Sequence, residues 1–185
     1  MIRWLLQRRG VLTEGSWADP GRFPHAPKTL AEKVAQTLVF YPCDVLFVHR
    51  DAEGQTPARR KAEILEAVAG RHRHVPVVPV RMMEAWLLFD EQLIRHAAGN
   101  PAGRMPLALP ALQRLEALAN PKDALFELLR LASGLNDRRL ARFNVHERRL
   151  RVADLAEDFS PLLELAAFRE LDEAVGALLV EKDAW

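Results

Sequence analysis

The chain has 185 residues, 49% of them hydrophobic and 28% charged, with a net charge of +1. That length suits one domain with a real core and room for a small appendage, and the composition excludes general disorder. A near-zero charge gives no global pull toward nucleic acid or acidic membranes, and the single Cys43 excludes an internal disulfide and a cysteine-rich zinc site.

Residues 2–9 read as a short amphipathic helix closed by Gly10, with an apolar patch too short for a signal-peptide core and its charges on the wrong side. No apolar run reaches the roughly 18 residues needed to span a bilayer, so the expected location is the cytoplasm and no membrane partner is expected. The stretch VLTEGSWAD suggests a weak strand followed by a loop. Thr29 and Glu32 have capping-box spacing and open a helix through about Tyr41, which Pro42 stops. DVLFVHR, 44–50, is a nearly continuous apolar run of the kind found in strands covered on both faces. After the polar turn DAEGQ, Thr56 and Pro57 start a helix that ends at Gly70. VPVVPV, 75–80, is the next strand, and its two prolines argue for an edge, or for donors pointing away from a neighbour. These pieces make one β-α-β unit with parallel strands. A helix follows from Met83 to about Ala98, then a Gly/Pro-rich break, then helices over roughly 110–118 and 121–133, the latter opened by Asn120 and Pro121. Shorter helical pieces cover 137–157, and a last helix runs from Pro161 to about Val180, capped by Ser160. The expected fold is therefore α/β, a small mainly parallel sheet flanked by helices over 1–100. A helical extension over 101–185 packs on it as a single compact unit.

Loops beyond the carboxyl ends of parallel strands converge on a crevice where ligands bind. Asp51 and Glu53 lie at that end of the most buried strand, two residues apart, so in extended chain both carboxylates face one side. Hard cations such as Mg²⁺ or Mn²⁺ take oxygen ligands and keep waters that a phosphate can replace. Gly54 is placed to let the backbone turn sharply. Glu84, just past the second strand, supplies a third carboxylate beside Asp51 if the two strands are neighbours. Taken alone, a D-x-E after a strand is more often a solvated turn; the convergence of three acids is what points to a site.

At these residues the chain resembles a widespread bacterial family of TOPRIM-like proteins. VLFVHRDAEG, followed some thirty residues later by VPVRMMEAWLLFD, is similar to the family's apolar strand ending in D-x-D and its second strand leading into E-x-E-A-W-L-L-x-D. The resemblance covers residues 29–125, and EAWLLFD is its most distinctive part. It implies a TOPRIM-like sheet, a Mg²⁺ (or Mn²⁺) ion held by Asp51 and Glu53, Glu84 assisting, and cutting or joining of nucleic-acid backbones. It also implies work beside an ATPase partner in phage defence. Lys122, in NPKDAL, matches a P-K pair of the family and is a candidate phosphate ligand together with Arg50. The chain departs from the pattern at Glu53, where the family has Asp, and at Met82, where it often has a carboxylate. The family's first strand with its E-G motif is not evident. Either Glu14-Gly15 supplies it, or the chain begins inside the first helix and VLTEGSWAD is the second strand; the second reading is preferred. It removes the general acid/base and leaves a catalytically inactive binding or regulatory subunit of an ATPase complex as the alternative function.

Arg138, Arg139, Arg142, Arg148, Arg149 and Arg151 form the densest basic stretch, a candidate for non-specific phosphate contacts with nucleic acid or else a solvated face. His49-Arg50-Asp51 is not a kinase catalytic loop: the Asn position holds Thr56, and Asp158-Phe159-Ser160 is not D-F-G. Arg71-His72-Arg73-His74 reads as a solvated loop, Cys43 as a packing residue, and Trp86, Leu87, Leu88 and Ile94 as core. A nucleotide-sugar transferase would need an upstream nucleotide-binding strand, for which the chain has no room.

Overall fold

The computed structural model describes residues 1–180 of the chain. In chain order it holds α1 (Ile2–Gln7), α2 (Leu30–Phe40), β1 (Leu46–His49), α3 (Pro57–Val68), β2 (His74–Val77) and α4 (Glu91–Ala98). Then follow α5 (Pro121–Ser133), α6 (Asp137–Leu140), α7 (Val145–Leu155) and α8 (Ala166–Val180), with short 3₁₀ turns between. The molecule is α/β, with a two-stranded parallel sheet flanked by helices. The described chain separates into two compact units, one formed by Ile2–Val78 and the residues from Glu170 onward, the other by Met1 and Pro79–Arg169.

The first unit holds the β1-α3-β2 crossover. Leu46 lies opposite His74 and His49 opposite Val77. Helix α2 forms because Thr29 accepts from the Glu32 amide while the Glu32 carboxylate reaches back to the Thr29 amide, the reciprocal cap the spacing predicts. Thr56 caps α3 in the same sense, accepting from Arg59, with Pro57 at the first position. Val34, Val48, Ala52, Ile64, Ala67, Val68 and Val78 close around one another as the core of this unit. Arg9 donates to a carboxylate oxygen of Asp172 at 2.5 Å and to its backbone carbonyl at 2.8 Å, pinning the end of α1 to α8. The hydrogen bond and charge of Arg9 hold the Asp172 carboxyl below its ordinary range.

Two features of this unit correct the sequence reading. VLTEGSWAD forms no strand; residues 11–19 carry no regular structure, and Leu12 and Trp17 stand 88% and 79% exposed. A strand there would need a partner edge and a buried face, and the segment has neither. Cys43 is exposed rather than packed, with its sulfur 3.7 Å from Nε2 of His72.

Helix α3 ends with Ala69 in the left-handed region at φ 51°. A side chain there costs roughly 1 kcal/mol against glycine. Ala69 is exposed, so Ala69→Gly is expected to raise the unfolding free energy by about 0.5–1 kcal/mol in denaturant titration. An unchanged or lower midpoint would show that the left-handed cap carries no strain.

The second unit is helical. Helices α4, α5 and α7 pack pairwise, and Trp86, Leu88, Ile94, Leu115, Leu125, Leu129, Phe159, Leu162 and Phe168 are fully buried. The expected core residues Trp86, Leu87, Leu88 and Ile94 are all inside. The single helix expected over 83–98 is broken: Met83–Leu87 is a 3₁₀ turn, and α4 starts afresh where the Asp90 carboxylate accepts from the Leu93 amide. A short polar side chain that can cap competes with helix continuation, and here it wins. The last helix is divided in the same way. Ser160–Glu164 is a 3₁₀ turn and α8 begins at Ala166, where the Glu116 carboxylate accepts from the Ala167 amide at 3.1 Å. Asn120 precedes α5 without a side-chain cap bond. None of the helices among the described residues is long and apolar enough to cross a membrane.

Candidate functional site

The loop beyond β1 is where a parallel sheet presents ligands, and it belongs to the sheet-bearing unit. β1 ends at His49, and the Arg50 amide still donates to the Val77 carbonyl. The chain is thus held to β2 up to the residue before Asp51. One Asp51 carboxylate oxygen lies 3.0 Å from Nε2 of His49, and both side chains are a little over a quarter exposed. The imidazole thereby fixes the carboxylate against the strand while leaving part of it in water.

Beyond Asp51 the chain does not remain extended. Ala52 is fully buried, the Gln55 amide donates to the Ala52 carbonyl, and Glu53 adopts the left-handed region at φ 52°. The alternation expected of an extended D-x-E therefore stops at Ala52, and Glu53, not Gly54, takes the positive dihedral. Such a conformation costs a non-glycine residue of order 1 kcal/mol or more and tends to occur where function demands a shape. The Glu53 side chain is 60% exposed and lies 4.0 Å from Arg60.

Around these acids stands a basic and acidic network on α3. Arg60 donates to Glu63 at 2.8 Å, and Arg50 and Arg59 each approach Glu63 at 3.8 Å. The hydrogen bond from Arg60 is the main reason the Glu63 carboxyl sits below its ordinary range. Nε of Arg60 is buried without a hydrogen-bond partner among the described residues. The Arg50 side chain is about a third exposed, and among the described residues the ion pair its guanidinium makes is the long contact to Glu63.

The remaining candidates lie in the helical unit. Glu84 is buried in the 3₁₀ turn after β2, and its carboxylate accepts from Arg149 at 2.6 Å. The sequence offered no means of pairing residues 65 positions apart. Arg149 is thereby committed to an internal ion pair, and Arg148 donates to the Ala97 carbonyl at 3.4 Å and stacks over Phe143. Arg138, Arg139 and Arg142 are exposed on and just beyond α6. Lys122 lies half-buried in the first turn of α5, 5.7 Å above the Phe126 ring. Among the described residues no three His, Cys, Asp or Glu side chains gather to form a group that could hold a metal ion.

His49 is the one residue at this strand end that stands outside the candidates read from the sequence, where it figures only in the rejected kinase motif. Its signal was the i, i+2 spacing to Asp51 across the end of a strand. Comparison of the chain with protein-family models, with curated proteins and with solved structures gives no match in any of the three.

Proposed function

We propose that the protein is a TOPRIM-like, Mg²⁺- or Mn²⁺-dependent enzyme of phosphodiester chemistry, a nuclease or phosphotransferase acting on nucleic acid, with its site in the loop beyond β1. The observation that carries this reading is the Asp51 carboxylate at the strand's carboxyl end, oriented by His49 at 3.0 Å and followed by a left-handed, exposed Glu53. Asp51 and Glu53 would hold the ion. When bound, such an ion stabilises charge on a phosphoryl oxygen and lowers the pKa of a bound water. His49 holds the Asp51 carboxylate at the strand end. Arg50 meets a phosphate oxygen from the adjoining position. Exposed Arg138, Arg139 and Arg142 supply backbone contacts with a nucleic acid. The resemblance to TOPRIM-like proteins supports the same chemistry and an ATPase partner in phage defence.

A second reading is favoured by one observation: Glu84, the third acid of the expected set, is buried and already neutralised by Arg149. With only two acids left at the strand exit, the chain would serve as a non-catalytic binding or regulatory subunit of an ATPase complex.

Calorimetry separates the two. Mg²⁺ or Mn²⁺ is titrated into wild type and into the double variant Asp51→Asn/Glu53→Gln. The catalytic reading expects saturable binding in wild type that disappears in the double variant, followed by metal-dependent cleavage of single- or double-stranded DNA or RNA. No heat of binding in a folded wild type would overturn it and leave the regulatory reading.

A further inference from the structure

Among the described residues the sheet has two strands, so each has one edge paired and one edge without a ladder partner. The register decides which backbone groups are bare. The Leu46 amide donates to the Arg73 carbonyl and the Arg50 amide to the Val77 carbonyl. Even-numbered residues of β1 therefore turn their N–H and C=O toward β2, and the odd-numbered Val45, Phe47 and His49 turn theirs away. Those outward groups take no backbone hydrogen bond among the described residues.

The two bare edges are not alike. On β2 the outward-turned residues are His74, Pro76 and Val78, and Pro76 has no N–H to offer, so that edge is blunted. β1 has no proline, lysine or bulge among Leu46–His49, and its side chains are apolar up to His49. An unguarded apolar edge of this kind is a template for another strand.

We propose that the free edge of β1 is a self-association surface, on which a second copy of this chain lays its own β1 antiparallel across a two-fold axis at Phe47. The outward groups permit only registers that set odd residues opposite odd ones. The register centred on Phe47 forms the most pairs: Phe47 opposite the partner's Phe47, Val45 opposite the partner's His49, and the reverse. It is also the register that satisfies charge. Asp44 then falls opposite the partner's Arg50, and Arg50 opposite the partner's Asp44. Asp44 is exposed and forms no ion pair among the described residues, and Arg50 has only its long contact to Glu63. Leu46 and Val48 meet each other's copies between the two charge pairs. A register centred one residue to either side sets Arg50 against proline or leucine. The product is a four-stranded sheet, β2-β1-β1-β2, closed by symmetry at its centre and guarded by Pro76 at both ends.

The test uses the whole chain. Sedimentation velocity at low salt is expected to show a concentration-dependent dimer for wild type. Asp44→Arg sets like charges opposite each other twice per dimer and is expected to weaken the dimer about tenfold or more. Asp44→Arg/Arg50→Asp restores opposite charges and is expected to restore the dimer, which a misfolded single variant would not do; far-ultraviolet circular dichroism checks the fold of each. Spin labels on the native Cys43, which is exposed, report the register. Eight residues of antiparallel offset place the two labels about 25–30 Å apart. A monomeric wild type, a dimer indifferent to Asp44→Arg, no rescue by the double reversal, or a label distance far from that range would each overturn the proposal.

Discussion

Replacing Phe168 with alanine is expected to lower the unfolding free energy by about 3–5 kcal/mol, the range for emptying a buried aromatic site. Phe168 is fully buried, and its ring stands edge-on to Trp86 at a centroid distance of 5.2 Å, so the deletion removes both contact area and an aromatic pair. In a chain of this size the loss corresponds to a fall in melting temperature of about 6–20 °C, read by differential scanning calorimetry. Trp86→Phe is the informative contrast. Nε1 of Trp86 is buried without a hydrogen-bond partner among the described residues, so the change removes an unsatisfied donor while keeping an aromatic ring. The lost volume and the relieved donor offset each other, and the net cost should stay under about 1.5 kcal/mol. If Phe168→Ala cost no more than Trp86→Phe, the packing of the 3₁₀ turn Met83–Leu87 against Phe168 would not be a stabilising core.

The starts of α2 and α3 were legible because each is a local device. Thr29 with Glu32 and Thr56 with Pro57 act within one turn, so four residues of sequence suffice to place α2 and α3. β1 and β2 were legible from apolar runs, and their parallel pairing from the helix between them. The losses have two causes, a local competition and a missing tertiary partner. Asp90 looked like a polar position inside a periodic helix, yet its carboxylate caps Leu93 and restarts the helix there. Residues 11–19 have β-branched and aromatic members, but strand formation needs a neighbouring edge, which is tertiary information.

The candidate site divides along the same line. That Asp51 would stand at a strand exit follows from the run before it. That Glu53 would turn left-handed does not, since Gly54 was the obvious residue for that dihedral. The Arg148 and Arg149 side chains were indistinguishable in sequence from those of Arg138, Arg139 and Arg142. Only packing shows that two of the five are used inside the helical unit while three face solvent.

Whether Glu84 is a structural residue or a reserve ligand is a question about energies, and a double-mutant cycle answers it. Glu84 keeps a side-chain exposure of only 9%, whereas Arg149 keeps 32%. Arg149→Met leaves the carboxylate buried and unpaired, and is expected to cost about 2–3 kcal/mol, somewhat below the figure for a fully buried pair because water reaches the arginine. Glu84→Gln retains shape and one hydrogen bond, and should cost about 1 kcal/mol. Glu84→Leu/Arg149→Met replaces the pair by apolar groups of similar volume, and is expected to fall within about 1 kcal/mol of wild type, since desolvation and attraction nearly cancel. That pattern would make Glu84 a structural residue of the helical unit, held for its pairing with Arg149 and replaceable with it, and a double variant that cost as much as Arg149→Met alone would show instead that the fold requires the carboxylate itself.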